Sequence, residues 1–197
     1  MDAQKYFDVV VVGGGIVGGV QALLFARRGL SVLLVEAATQ LQRPVERPVD
    51  QPDAQPDEQP LPLQQRSVAL SYRSFELLAS EDLWPADKVC PIREIQVTNR
   101  GYFGATRISC DDLNTDALGY AVANHDLESH LHHLLRLQDN VEFVQPATAR
   151  LIQNSSAGAE LQVSYAPGAS SGAGSATGRS ATELPVRCGL LLSLIHI

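Results

Sequence analysis

Sulfur and aromatic residues are scarce in this chain: three cysteines, one methionine and one tryptophan, with 6% aromatics in all. Cys90, Cys110 and Cys188 are far apart, odd in number and without CxxC spacing. That argues against a disulfide framework or a zinc site and fits a reducing cytoplasm. Basic residues are few as well, 15 Lys and Arg against 22 Asp and Glu, giving a net charge of −7. A nucleic-acid partner requires a basic face, so that class is set aside. A phosphate-bearing ligand is not excluded, because a helix N-terminus can hold phosphate without any side-chain cation. The uncharged stretch from Val9 to Ala26 is borderline in length for a membrane span, but glycines interrupt it. Asp2 and Asp8 stand where a signal peptide wants positive charge. Neither a Walker motif nor a Gly-x-Ser-x-Gly elbow is present. His125, His130, His132 and His133 cluster, but no two have the i, i+4 spacing of a helical zinc site. The expectation for them is a solvated helix face and no metal.

What is present begins with a βαβ pattern. Hydrophobic residues make up 45% of the chain, enough for a sizeable core. Phe7–Val12 is a continuous apolar, β-branched run of strand length, the signature of a parallel strand buried on both faces. Ile16–Arg28 reads as a helix stopped by Gly29, and Ser31–Val35 as a second buried strand closing at Glu36. Between strand and helix lies Gly13-x-Gly15-x-x-Gly18. Gly13 permits the tight turn, Gly15 the close approach of a pyrophosphate, and Gly18 the close packing of helix on strand. Gly14, Ile16 and Val17 complete the candidate loop, whose free amides point at the phosphates. Glu36 follows at the distance where a carboxylate accepts hydrogen bonds from the adenosine ribose. An acid there disfavours a 2′-phosphate and so argues against NADP in this pocket. The residues define a site for the ADP half of a dinucleotide, and spacing alone does not separate FAD from NAD.

Residues 43–62 read RPVE, RPVD, QPDA, QPDE, QPLP. Proline every fourth residue blocks helix and sheet ladders alike, so 43–63 is expected to be an inert extended insertion. Beyond it, Ser71–Asp82 has helical spacing ended by Trp84-Pro85, and Ile92–Thr98 alternates as a strand. Ala105–Ser109 is its hairpin partner across Asn99-Arg100-Gly101. Tyr120–Ala123 is a short strand. A helix capped by Asn124 or Asp126 runs to about Leu137, with Leu127, Leu131, Leu134 and Leu135 on its buried side. Val141–Val144, Ala147–Ile152, Leu161–Tyr165 and Leu184–Leu192 read as strands, and the Gly/Ala/Ser/Thr-rich residues 166–182 as a low-complexity loop. The closing Leu192–Ile197, LSLIHI, is the translation of a transposon end used in sequencing-library preparation. It is expected to be adapter-derived, with the gene continuing past it.

The strings Arg66-Ser67-Val68-Ala69-Leu70-Ser71, Arg100-Gly101-Tyr102-Phe103-Gly104 and Ala117-Leu118-Gly119-Tyr120 are individually weak. Together with the glycine motif they resemble the flavin-dependent ubiquinone-biosynthesis hydroxylases, from about Asp8 to Arg150. The resemblance implies an α/β fold like that of p-hydroxybenzoate hydroxylase: a Rossmann-like FAD-binding domain with an inserted β-sheet substrate domain, here C-terminally truncated. The implied organisation is a FAD-binding βαβ unit at 1–42, the insertion at 43–63, and more of the FAD-binding domain at 64–91 and 124–165. A partial substrate domain at 92–123, the loop at 166–182, a strand at 183–191 and the tail at 192–197 complete it. It also implies FAD as cofactor, with Arg66 near the flavin, NAD(P)H as transient reductant and dioxygen as co-substrate. The substrate would be a hydrophobic polyprenyl phenol, met in the cytoplasm at the periphery of the inner membrane or in a biosynthetic complex. Three departures stand out. Gln64 replaces a family acid, His130 replaces an arginine, and the later Asp-Gly and Gly-Asp flavin motifs are absent from this sequence. Two other readings are a catalytically inactive dinucleotide-binding fragment and another FAD-dependent oxidase of the same fold.

Overall fold

A computed structural model of the protein describes residues 4–38, 66–98, 101, 103–165 and 182–194. The proline repeat, and the Gly/Ala/Ser-rich stretch up to residue 181, lie outside the described residues. The chain divides into two compact units, 1–42 with 128–197, and 43–127.

The first unit is built on a six-stranded sheet. Strand β1 (Lys5–Val12) leads into helix α1 (Ile16–Arg27) and strand β2 (Val32–Val35). These are the expected elements, shifted by a residue or two at their ends. In the second unit follow β3 (Ser67–Ser71), α2 (Tyr72–Ser80), β4 (Val89–Ile92), β5 (Glu94–Thr98), β6 (Ala105–Ser109) and β7 (Gly119–Ala123). Helix α3 (Asn124–Arg136) runs across the division, and β8 (Val141–Val144), β9 (Ala147–Ser155), β10 (Gly158–Tyr165) and β11 (Thr182–Ser193) return to the first unit.

The sheet order is β8-β2-β1-β11-β10-β9. The first four strands are parallel neighbours and the last three form an antiparallel meander. Val9, Val10, Val11 and Val12 are each at most 2% exposed. Burying both faces of a strand requires the unbroken apolar run that the sequence supplies. Strand β11 serves both halves, pairing with β10 over its first part and with β1 from Val186 to Ser193. Leu192 and Ser193, at the start of the suspected tail, pair with Val11 and Val12, and the Leu194 N–H donates to the Val12 carbonyl at 2.9 Å. Residues 195–197 lie outside the described residues.

The second unit holds a three-stranded antiparallel sheet, β3-β7-β4, and the hairpin β5-β6. Helix α2 begins at Ser71, whose hydroxyl accepts from the Ser74 amide, a side-chain cap for a short helix. Phe75 lies at the centre of an aromatic cluster, with Tyr72, Trp84 and Tyr120 at ring-centroid distances of 4.5–5.5 Å. Two expectations are corrected here. Ser67–Ser71, for which no element is expected before the helix at Ser71, is a strand, formed by pairing with β7 far along the chain. Ile92–Thr98 is not one strand: it breaks at Arg93, with Ile92 ending β4 and Glu94 starting β5 in a separate sheet. The break is fixed by backbone bonds, since the Arg93 carbonyl accepts from Cys110 N–H and the Ile92 carbonyl from Leu118 N–H.

Candidate dinucleotide-binding site

The glycine loop joins β1 to α1 in the first unit. Gly13 has φ of +106°, a conformation that side chains disfavour, and its N–H donates to the Val35 carbonyl at 2.9 Å. The loop is thereby tied to the end of β2. Gly18 answers a different constraint, namely space. A Cβ built there would overlap the carbonyl oxygen of Gly13, so the first turn of α1 can close on the strand only without a side chain. Gly19, one residue on, lets α3 approach, since an added Cβ would lie 3.4 Å from that of Leu131.

Gly15 is the N-cap of α1, exposed, extended, and without any side-chain cap bond. The helical ladder of this turn opens with the bond from the Gly19 N–H to the Gly15 carbonyl at 2.8 Å. The amides of Ile16, Val17 and Gly18 therefore precede the helical ladder, and no acidic side chain occupies the first turn. An uncapped helix start with a bare glycine at its mouth fits a pyrophosphate. Ile16 is partly buried, whereas Val17 is 60% exposed.

Glu36 closes β2 beside this loop. Its Oε2 accepts the Gly14 N–H at 2.5 Å and its Oε1 the Ala38 N–H at 2.7 Å. Each carboxylate oxygen keeps a second lone pair, so a ribose hydroxyl can still donate to it. Gly14 is held from the other side too. The His132 Nε2 lies 2.7 Å from the Gly14 carbonyl oxygen, and the ring meets Phe143 edge-on at 4.8 Å. Burial lowers the His132 pKa, opposed in part by the bond to Gly14. The carboxyl of Glu128 also borders the loop, its Oε1 being 3.7 Å from where a Gly15 Cβ would stand. Burial raises the Glu128 pKa, and the charge of Glu36 raises it further.

Gly13, Gly14, Gly15, Ile16, Val17, Gly18 and Glu36 thus come together as one cluster. Arg66 belongs to the second unit, where it precedes β3; it is exposed, and its carbonyl accepts the Asn124 N–H at 2.9 Å. Two residues of the cluster were not foreseen. The histidines were expected on a solvated face, but His132 is only 5% exposed. Glu128, Leu131, His132 and Leu135 follow i, i+3, i+4, i+7 spacing, which marks one helix face. Leu131 and Leu135 on that face are fully buried. That stripe was the available signal. His133, off the stripe, is exposed as expected.

The fold is that of the FAD-binding hydroxylases. It matches p-nitrophenol 4-monooxygenase PnpA from Pseudomonas putida with a TM-score of 0.65 and 16% identity, over 97% of this chain and 41% of that one. It matches the flavin-dependent monooxygenase PieE, solved with FAD and substrate, with a TM-score of 0.63 and 15% identity, over 96% of this chain and 30% of that one. The resemblance read from the motifs is supported by sequence as well. The chain is 25% identical over 158 residues to ubiquinone hydroxylase UbiM of Neisseria meningitidis, covering 75% of this chain. It is 27% identical over 124 residues to an uncharacterised protein of Synechocystis, covering 62% of this chain. The chain spans 30% and 25% of the lengths of these two relatives. No family model matches. Among the described residues no helix is long and apolar enough to cross a membrane.

Proposed function

We propose that this chain forms the FAD-binding part of a flavin-dependent monooxygenase that hydroxylates a polyprenyl phenol in ubiquinone biosynthesis. The observation that carries the FAD reading is the uncapped start of α1, with its exposed Gly15 and the acid at the end of β2. The similarity to UbiM supports the ubiquinone assignment. In this reading the amides of Gly15 to Gly18 bind the pyrophosphate, and no cation is required because the helix start carries partial positive charge. Glu36 accepts the adenosine ribose hydroxyls while holding Gly14 in place. Gly18 keeps the helix close enough to the strand for the phosphate to meet backbone rather than side chain. When bound, FAD supplies the electron transfer and dioxygen activation; NAD(P)H is the reductant and the phenol the oxygen acceptor. The polyprenyl tail brings the protein to the membrane periphery or to a biosynthetic complex.

The test has two parts. The purified chain should quench the fluorescence of added FAD at a one-to-one end point, and binding of ADP alone would reduce the reading to a dinucleotide-binding module. The protein carrying this chain, supplied with NAD(P)H, dioxygen and a short-chain polyprenyl phenol, should yield the hydroxylated phenol. Peroxide release without ring hydroxylation would replace the hydroxylase by an oxidase of the same fold.

A further inference from the structure

We infer that His132 is a positioning residue of the phosphate loop, holding the Gly14–Gly15 peptide so that the Gly15 N–H faces the bound pyrophosphate. The inference rests on the ADP-site reading of that loop. It starts from the tautomer. A carbonyl oxygen only accepts, so the short contact at 2.7 Å requires the proton on the His132 Nε2. The imidazole is buried among Gly14, Phe143 and the α3 stripe, and desolvation keeps it neutral. One donor is therefore aimed at one acceptor in a loop that has no side chains of its own at positions 13 to 15.

The consequence follows from peptide planarity. The Gly14–Gly15 bond is trans; among the described residues the one cis peptide is Gln145–Pro146. In a trans peptide the C=O and the next N–H point in opposite directions. Fixing the Gly14 oxygen on His132 thus turns the Gly15 N–H to the side away from α3's histidine. Gly14 is fixed at its other end by Glu36, through its own N–H. Two glycines, which are the residues with most backbone freedom, are thereby held at two points before any ligand arrives. Preorganisation of this kind raises affinity by lowering the ordering cost of binding.

The experiment measures the affinities of the full chain, wild type and variants, for FAD by fluorescence quenching and for ADP by calorimetry. Each protein's thermal melt is recorded alongside. In H132F the ring volume and the edge contact with Phe143 remain, but the donor is lost. About ten-fold weaker binding of both ligands is expected at temperatures where the variant is fully folded, one hydrogen bond's worth. H132Q places an amide N–H where the Nε2–H was and should recover affinity to within about three-fold of wild type. If H132F does not fold, H132N takes its place with the same expectation, because its amide is too short to reach Gly14. Wild-type affinity in H132F or H132N overturns the inference, as does an equal loss in H132Q. Wild type that binds ADP but not FAD removes the flavin reading and leaves the His132 comparison intact on ADP. Wild type that binds neither ligand overturns both.

Discussion

Strand β1 and the hairpin β5-β6 are both rich in β-branched residues, yet their surroundings are opposite. Val9 to Val12 are at most 2% exposed. Ile95, Val97 and Ile108 are 41%, 55% and 38% exposed. The difference lies in pattern rather than composition. An unbroken apolar run has no face to offer water and must be covered on both sides. Alternation leaves one polar face, and here Glu94 pairs with Arg107 while Ile95 stands opposite Ile108. The glycines divide in the same way. Gly18 is required by space, with a carbonyl where a Cβ would be, whereas Gly104 has open space and only its φ of +128° to justify it.

The largest effect that would break this contrast is at Gly18. G18V forces a branched side chain into the Gly13 carbonyl, so α1 must lift off the strand and the loop must open. Binding of FAD and ADP should fall by at least about 100-fold, and the melting temperature by roughly 10 °C or more. A variant that melts and binds like wild type would mean that the helix start is not held against the loop as described.

A smaller effect separates the two ionisable groups of α3 that border the loop. Burial depresses the His132 pKa, so the unfolded chain takes up its proton first. Its contribution to stability is complete above the ordinary imidazole value, near 6.5, and is lost as pH falls below it. Glu128 has a raised pKa, so its contribution is present below the ordinary carboxyl value, near 4.3, and is lost as pH rises through the folded value. E128Q removes the second dependence and leaves the first. Because Glu128 is half-buried, solvent discounts its charge, and the expected gain at pH 7 is only about 2 °C in melting temperature. Melts of wild type and E128Q from pH 4 to 8 should diverge as pH rises; curves that stay parallel across that range would remove Glu128 from the loop's electrostatics.

The same contrast explains what could be read from the residues. Val9–Val12, the glycine motif and Val32–Val35 carry their information locally, in runs and spacings, and β1, α1 and β2 were legible almost residue by residue. The hairpin was legible as a pair, with Ala105–Ser109 as expected, but its first strand starts at Glu94 and not at Ile92. Strand β3 was not legible, since Ser67–Ser71 becomes a strand only through β7. Strand β4 was hidden by Pro91, tolerated because β4 is at the edge of its sheet. The parallel pairing of β11 with β1 joins opposite ends of the chain, and no local pattern announces it. In the site, the glycines and Glu36 were legible by type and spacing. For His132 only burial was legible, through the α3 stripe; its partner was not, because a backbone carbonyl leaves no mark in the sequence.

The smallest expected effect tests the hairpin side of the comparison. Val97 is 55% exposed and its cross-strand neighbour is Thr106. V97T keeps the β-branched shape that a strand favours, places its hydroxyl where water can reach it, and gains a Thr–Thr pair. The melting temperature should change by less than about 1 °C. The same substitution at Val10 buries a hydroxyl in a strand whose backbone groups are already paired, at a cost of about 1–3 kcal/mol. The two variants differ in nothing but surroundings, so their difference measures the coverage of the two strands directly. A V97T loss as large as that of V10T would mean that the apolar side of β5 is covered in solution.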